Sequence, residues 1–131
     1  MSIHTLPIRI YYEDTDFSGN VYHAAYLKFF ERGRTEFLRD LGVHHAELAE
    51  KDIAFAVRSM QIDFLAAAKI DDLLVVETSV AELKGIRLTL KQTIMREQTV
   101  LTTAMVMVVA IHISGGPARL PPALKARLTG S

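Results

Sequence analysis

The chain has 131 residues and a mass of 14.6 kDa, with 15 Lys and Arg against 15 Asp and Glu, half its residues apolar, and no cysteine or tryptophan. That length suits one domain, here residues 1–131, with a core that needs no disulfide or metal. Balanced charge argues against a duplex nucleic-acid binder, and the lack of cysteine excludes disulfide scaffolds, thiol nucleophiles and cysteine-based zinc sites.

The first residues reach acids early and carry no basic-then-apolar export pattern. Residues 5–12 alternate Ile8 and Ile10 with Arg9, as a short strand does, and Pro7 suits an edge strand or a strand's beginning. Turn-forming residues follow: Asp14, Asp16, Ser18, Gly19 and Asn20. A helical period then runs from Val21 for about 20 residues, with Tyr22, Tyr26, Phe29, Phe30, Gly33, Phe37 and Leu41 on one stripe. Asn20 is the expected N-cap and Gly42 stands where a left-handed C-cap belongs. Glu31 and Arg34, three apart, are expected to form a surface or interface ion pair.

A short helix is expected over 45–51. Strands are expected over 53–64, 73–83, 86–95 and 99–113, with tight turns at Lys84-Gly85 and Glu97-Gln98. The stretch 99–113 is uncharged but too short for a bilayer-spanning helix, so the expected protein is cytoplasmic with no transmembrane segment. Beyond Ala104 that strand is apolar on both alternating faces, so both need cover. One helix covers one face, which makes a second subunit the economical answer. Residues 114–131 contain no acid but carry Arg119, Lys125 and Arg127 among glycines and prolines, the composition of an extended basic tail.

The chemistry concentrates between the first strand and the long helix. A helix N-terminus offers unpaired N–H groups and the positive end of a dipole, which bind an anion or polarise a carbonyl oxygen. Asp16, on a Gly19-containing loop just upstream, reaches the same volume and can attack a carbonyl or activate water. Asp14 and Asp16 are equally natural turn formers and caps. His23 at a positive helix end tends to stay neutral, which suits hydrogen bonding. The D-T-D-F-S-G run resembles the opening of a calcium loop, but the twelfth position is Ala25 where a bidentate Glu is required, so no metal site is expected. His44 and His45 suit capping or the surface, and His112 the core or an interface. Signatures of serine hydrolases, P-loop nucleotidases, dinucleotide enzymes and zincins are absent from the sequence.

The run Tyr12-Glu13-Asp14-Thr15-Asp16-Phe17-Ser18-Gly19-Asn20-Val21-Tyr22-His23, continued by Phe30-Glu31-Arg32-Gly33-Arg34-Thr35-Glu36, resembles the hotdog-fold acyl-CoA thioesterases of the 4-hydroxybenzoyl-CoA thioesterase type. It is most similar to their YbgC branch, associated with the bacterial Tol–Pal envelope system. Phe55-Ala56-Val57-Arg58-Ser59-Met60, Ala68-Lys69-Ile70-Asp71-Asp72 and Arg119-Leu120-Pro121 extend the resemblance over nearly the whole chain. It implies an α+β hotdog fold, a five-stranded antiparallel sheet wrapped around one long helix, assembled as a homodimer or homotetramer. It also implies hydrolysis of acyl-CoA to a carboxylic acid and free CoA, without cofactor. Asp16 would be nucleophile or general base, amides near Tyr22 and His23 would polarise the carbonyl, and Gly19 would allow close approach. CoA phosphates would meet Lys84 and Arg87, with Arg58 and Lys69 as alternatives. Phe17 departs from the small residues common in that loop and would narrow the acyl site. Acyl carrier protein is a second possible carrier or partner. The rival readings are a hotdog dehydratase or hydratase, whose His/Asp pairing is not seen here, and a noncatalytic acyl-thioester or carrier-protein binding module.

Overall fold

A computed structural model describes residues 3–130. The elements are β1 (His4–Arg9), α1 (His23–Asp40), α2 (His45–Glu50), β2 (Ile53–Phe64), β3 (Leu73–Lys84), β4 (Arg87–Arg96), β5 (Thr99–His112) and α3 (Pro122–Gly130), with a single 3₁₀ turn at Tyr12–Asp14. The strands form one antiparallel sheet in the order β1-β3-β4-β5-β2. Pro7 lies in the edge strand β1, where a missing N–H is tolerated. The other edge is β2, whose register with β5 slips between Val57 and Ser59. Arg58 is the extra residue of that bulge.

Alternation decides the core face. Leu74, Val76 and Val80 from β3, Leu88, Leu90 and Ile94 from β4, and Ala104, Val106, Val108 and Ala110 from β5 are buried at two-residue intervals. They share one core with Ala25, Tyr26, Phe29, Phe30, Phe37 and Leu38 of α1. On the other face of β5, Met105 is exposed, Met107 and Ile111 are partly buried and Val109 is buried, so the second apolar set is only partly covered within one chain.

At Gly33, α1 lies close against the sheet. A Cβ there would lie 2.7 Å from Val76 Cγ1, 3.1 Å from Gln92 Nε2 and 3.2 Å from Thr78 Oγ1. Gln92 is fully buried beneath it and fully engaged. Its amide donates to the Phe30 carbonyl and to Thr78 Oγ1, both at 2.9 Å, and its Oε1 accepts from Arg34 Nη1 at 3.0 Å. A buried amide is tolerated because it is bonded in this way.

Three sequence expectations are corrected. The tail is not extended: residues 122–130 form α3, and Leu120, Leu124 and Leu128 join the core. Gly115 and Gly116 end the strand, but the leucines at four-residue spacing beyond them form a buried helical stripe. Arg34 is not in a surface pair with Glu31. It is buried and bonds Gln92, because Gly33 brings this part of α1 onto the sheet. Asn20 is not the N-cap, since α1 begins at His23 with Tyr22 as N-cap. Asn20 is instead held in an antiparallel bridge with Lys69. His112, expected in the core or an interface, is partly exposed in the single chain, its Nδ1 3.3 Å from the Asp52 carbonyl. The expected C-cap position of Gly42 holds, one residue past Leu41.

Candidate active site

The loop before α1 is a small closed structure. Thr15 bridges Val21, the Asp16 N–H donates to the Asn20 carbonyl at 2.8 Å, and the Gly19 N–H returns to the Asp16 carbonyl at 3.1 Å. Gly19 takes φ +83°, a left-handed conformation that glycine adopts without strain. A second turn, 68–72, braces the loop: Val21 donates to the Ala68 carbonyl (2.8 Å) and Ile70 to the Gly19 carbonyl (3.0 Å). That turn is anchored by the Ala68 N–H on the buried Tyr26 hydroxyl (3.0 Å) and by Arg96 on Asp72 (2.9 Å).

The two acids of D-T-D have different roles. Asp14 is buried, and its carboxylate accepts the Tyr11 N–H at 2.9 Å, a structural bond. Asp16 is exposed at the loop's tip. Its Oδ1 accepts the Ser18 hydroxyl (2.5 Å) and the Ser18 N–H (2.8 Å). These two bonds, the hydroxyl first, hold its carboxyl below the usual carboxylate range. Asp16 is therefore ionised at neutral pH.

Beside it, the first turn of α1 is uncapped: Tyr22 is extended (φ −79°, ψ 155°) and makes no side-chain cap bond. The Tyr22 N–H is already used by the Asp14 carbonyl (3.3 Å), and the Ala25 N–H by Tyr22 itself (3.0 Å). Among the described residues, the His23 and Ala24 amides have no acceptor. The unpaired pair is thus His23 and Ala24, one position later than the sequence suggests. Phe64, at the end of β2, packs against the rings of His23 (centroids 4.8 Å apart) and Tyr26 (5.4 Å). It forms an apolar wall that no sequence motif marks.

The expected phosphate-binding residues lie elsewhere in the single chain. Lys84 and Arg87 face each other across the β3–β4 turn, at the far end of β3 from Leu73 and the 68–72 turn. Arg58 is exposed on the free edge of β2, and only Lys69 sits on the loop's brace. Phe17 projects fully into solvent at the loop tip.

Residues 11–128 match the thioesterase-like superfamily. The chain is 46% identical over 124 residues to acyl-CoA thioesterase YbgC of Haemophilus influenzae, covering 93% of this chain and 91% of that one. It is 40% identical over 122 residues to acyl-CoA thioester hydrolase YbgC of Escherichia coli, covering 92% and 91% respectively. Among solved structures, a probable thioesterase from Bartonella henselae superposes with a TM-score of 0.88 at 46% identity, over 92% of this chain and all of that one.

Proposed function

The chain belongs to the thioesterase-like superfamily and, within it, to the YbgC acyl-CoA thioesterases, and from that membership we propose how its site hydrolyses an acyl-CoA thioester. The thioester carbonyl oxygen accepts the His23 and Ala24 N–H groups, which stabilise the negative charge that develops there. The Asp16 carboxylate either attacks the carbonyl carbon or takes a proton from the water that does. When water attacks, the proton passed to Asp16 goes on to the leaving CoA thiolate as the C–S bond breaks; when Asp16 attacks, CoA thiolate leaves a mixed anhydride, and water then cleaves that anhydride, freeing Asp16 and supplying the thiol proton. The products are a carboxylic acid and free CoA. A thioester is already activated, so this reading calls for no metal or redox cofactor.

The observation that carries the proposal is the uncapped start of α1, which follows directly on the hydrogen-bonded 15–21 loop that bears the ionised Asp16. The His23 ring, packed on Phe64, orients the acyl group.

CoA binding requires a second copy. Pairing of two β2 edges about a two-fold axis is antiparallel, so the Ile53 end of one strand lies alongside the Phe64 end of the other. The row Ala56–Val109–Arg87 then comes towards the partner's loop. In this arrangement Lys84 and Arg87 serve the partner's site, while Lys69 and Arg58 are supplied nearer the loop or the shared edge. The assembly is a homodimer or a pair of dimers, with acyl carrier protein as an alternative carrier. The same reading places the protein in the cytoplasm beside the Tol–Pal system. No helix among the described residues is long and apolar enough to cross a membrane.

The test is a thiol-release assay over short, long and aromatic acyl-CoAs, with Asp16→Asn as control. Asp16→Asn is expected to keep the fold and lose at least about 100-fold in turnover, comparable to loss of a major charge-stabilising group. Near-normal turnover of that variant would refute the assignment of Asp16.

A further inference from the structure

The hydrolase reading requires Asp16 and the His23 and Ala24 amides to meet at one carbonyl, yet they sit on two different bodies. The amides belong to α1. Asp16 belongs to the 15–21 loop, whose bonds from Thr15 to Val21, from Asp16 to Asn20 and from Gly19 to Asp16 are internal. Those bonds fix the shape of the loop but not its angle to the helix. The chain joins the two bodies only through Val21 and Tyr22, so that angle is set from outside the loop.

One buried residue meets both bodies. The Ala68 carbonyl accepts the Val21 N–H of the loop at 2.8 Å, and the Ala68 N–H donates to the Tyr26 hydroxyl of α1 at 3.0 Å. Both Ala68 and Tyr26 are buried. Two residues after Ala68, the Ile70 N–H holds the Gly19 carbonyl, on the far side of the loop, at 3.0 Å. The 68–72 turn is fixed to the sheet in its own right. The Asp72 carboxylate accepts the Lys69 N–H and Arg96 Nη1, both at 2.9 Å, and the Asp72 carbonyl accepts the Ile10 N–H at 2.9 Å. Among the described residues, the Tyr26 hydroxyl makes the only hydrogen bond between α1 and this turn. The Tyr26 ring also packs on Phe29 and Phe64, contacts that a phenylalanine would keep.

We propose that Tyr26 is a positioning residue for the reaction: its hydroxyl, through the Ala68 peptide, sets the loop against α1 and so fixes the Asp16 carboxylate relative to the His23 and Ala24 amides. Packing alone calls for an aromatic ring here and not for a hydroxyl. The hydroxyl answers the Ala68 N–H, a donor shut away from water that needs an acceptor. Attacking group and oxyanion donors must each come within about 3 Å of the reacting atoms, and a misplacement of about 1 Å costs roughly 100-fold. This proposal rests on the hydrolase reading, because Tyr26 acts only through Asp16.

The experiment is a double-mutant cycle, Tyr26→Phe against Asp16→Asn, in the thiol-release assay with the acyl-CoA that the wild type turns over fastest. Tyr26→Phe is expected to lower kcat by about tenfold or more and to leave KM within about twofold, the pattern of a group that matters in the transition state alone. On the Asp16→Asn background the same change should cost less than about twofold, because a positioning group has nothing left to position. Leu128→Ala, a core change in α3, serves as the control for lost stability and should keep the wild-type kcat while folded. Wild-type kcat in Tyr26→Phe, or an equal loss on both backgrounds, would overturn the proposal and leave the hydrolase reading standing. Should Tyr26→Phe fail to fold, Arg96→Gln loosens the same turn from the partly exposed sheet side, and the same two outcomes decide. Near-normal turnover by Asp16→Asn would overturn the Asp16 reading and this proposal together.

Discussion

At the scale of single residues, the candidate site depends on which polar groups are already used. Asp14 and Asp16 are two positions apart, yet one is buried on the Tyr11 N–H and the other exposed on Ser18. Ser18 lowers the pKa of Asp16, and the ionised form is the active one, so activity persists as pH falls until the depressed pKa is reached. Ser18→Ala removes the larger of the two Ser18 bonds and raises that pKa. The acidic limb of the kcat/KM profile should therefore move to higher pH, measurable by thiol release between pH 3 and 7, roughly the carboxylate range. The unpaired amides permit a second test. Proline is tolerated in the first turn of a helix, so Ala24→Pro should preserve the circular dichroism spectrum while removing one donor. Turnover should drop by about 100- to 1,000-fold.

At the scale of elements, α1 is held on the sheet by a close approach and a buried amide rather than by apolar contact alone. Gly33→Ala places a methyl against Val76 and Gln92, where there is no room. It should cost about 1–3 kcal/mol in urea unfolding, the range for overpacking. The terminal helix contributes in the ordinary way. Leu128 is fully buried, so Leu128→Ala should cost about 2–5 kcal/mol. A tail that was merely extended and solvated would show almost none of that loss.

At the scale of the whole molecule, one chain leaves the edge of β2 unpaired and the Met105 face of the sheet only partly covered. Val57 and Phe64 of β2 stay about half exposed. Unpaired edges of long strands are normally covered, and a second copy covers both strand edge and side chains. Sedimentation should therefore give a mass of at least twice 14.6 kDa at micromolar concentration. A species of single-chain mass would remove the partner-supplied role of Lys84 and Arg87.

The sequence by itself determined the strand and helix pattern, the turns at Gly85 and Glu97, and the placing of the reactive loop before α1. Those are local matters: two-residue alternation, a three-to-four-residue stripe, and turn chemistry act within a few residues. The D-T-D motif likewise marked Asp16 without any tertiary information. Which amides remain unpaired was decided only in three dimensions, because Tyr22 loses its N–H to Asp14 and Asn20 is drawn to Lys69 in the neighbouring turn. Phe64 reaches His23 from forty-one positions away, and Gln92 reaches Arg34 from fifty-eight. Arg34 shows the difference most clearly. Three residues from Glu31, it has the spacing of a surface ion pair, and only the missing side chain of Gly33, which lets the helix settle on Gln92, makes it a buried cation facing a cleft.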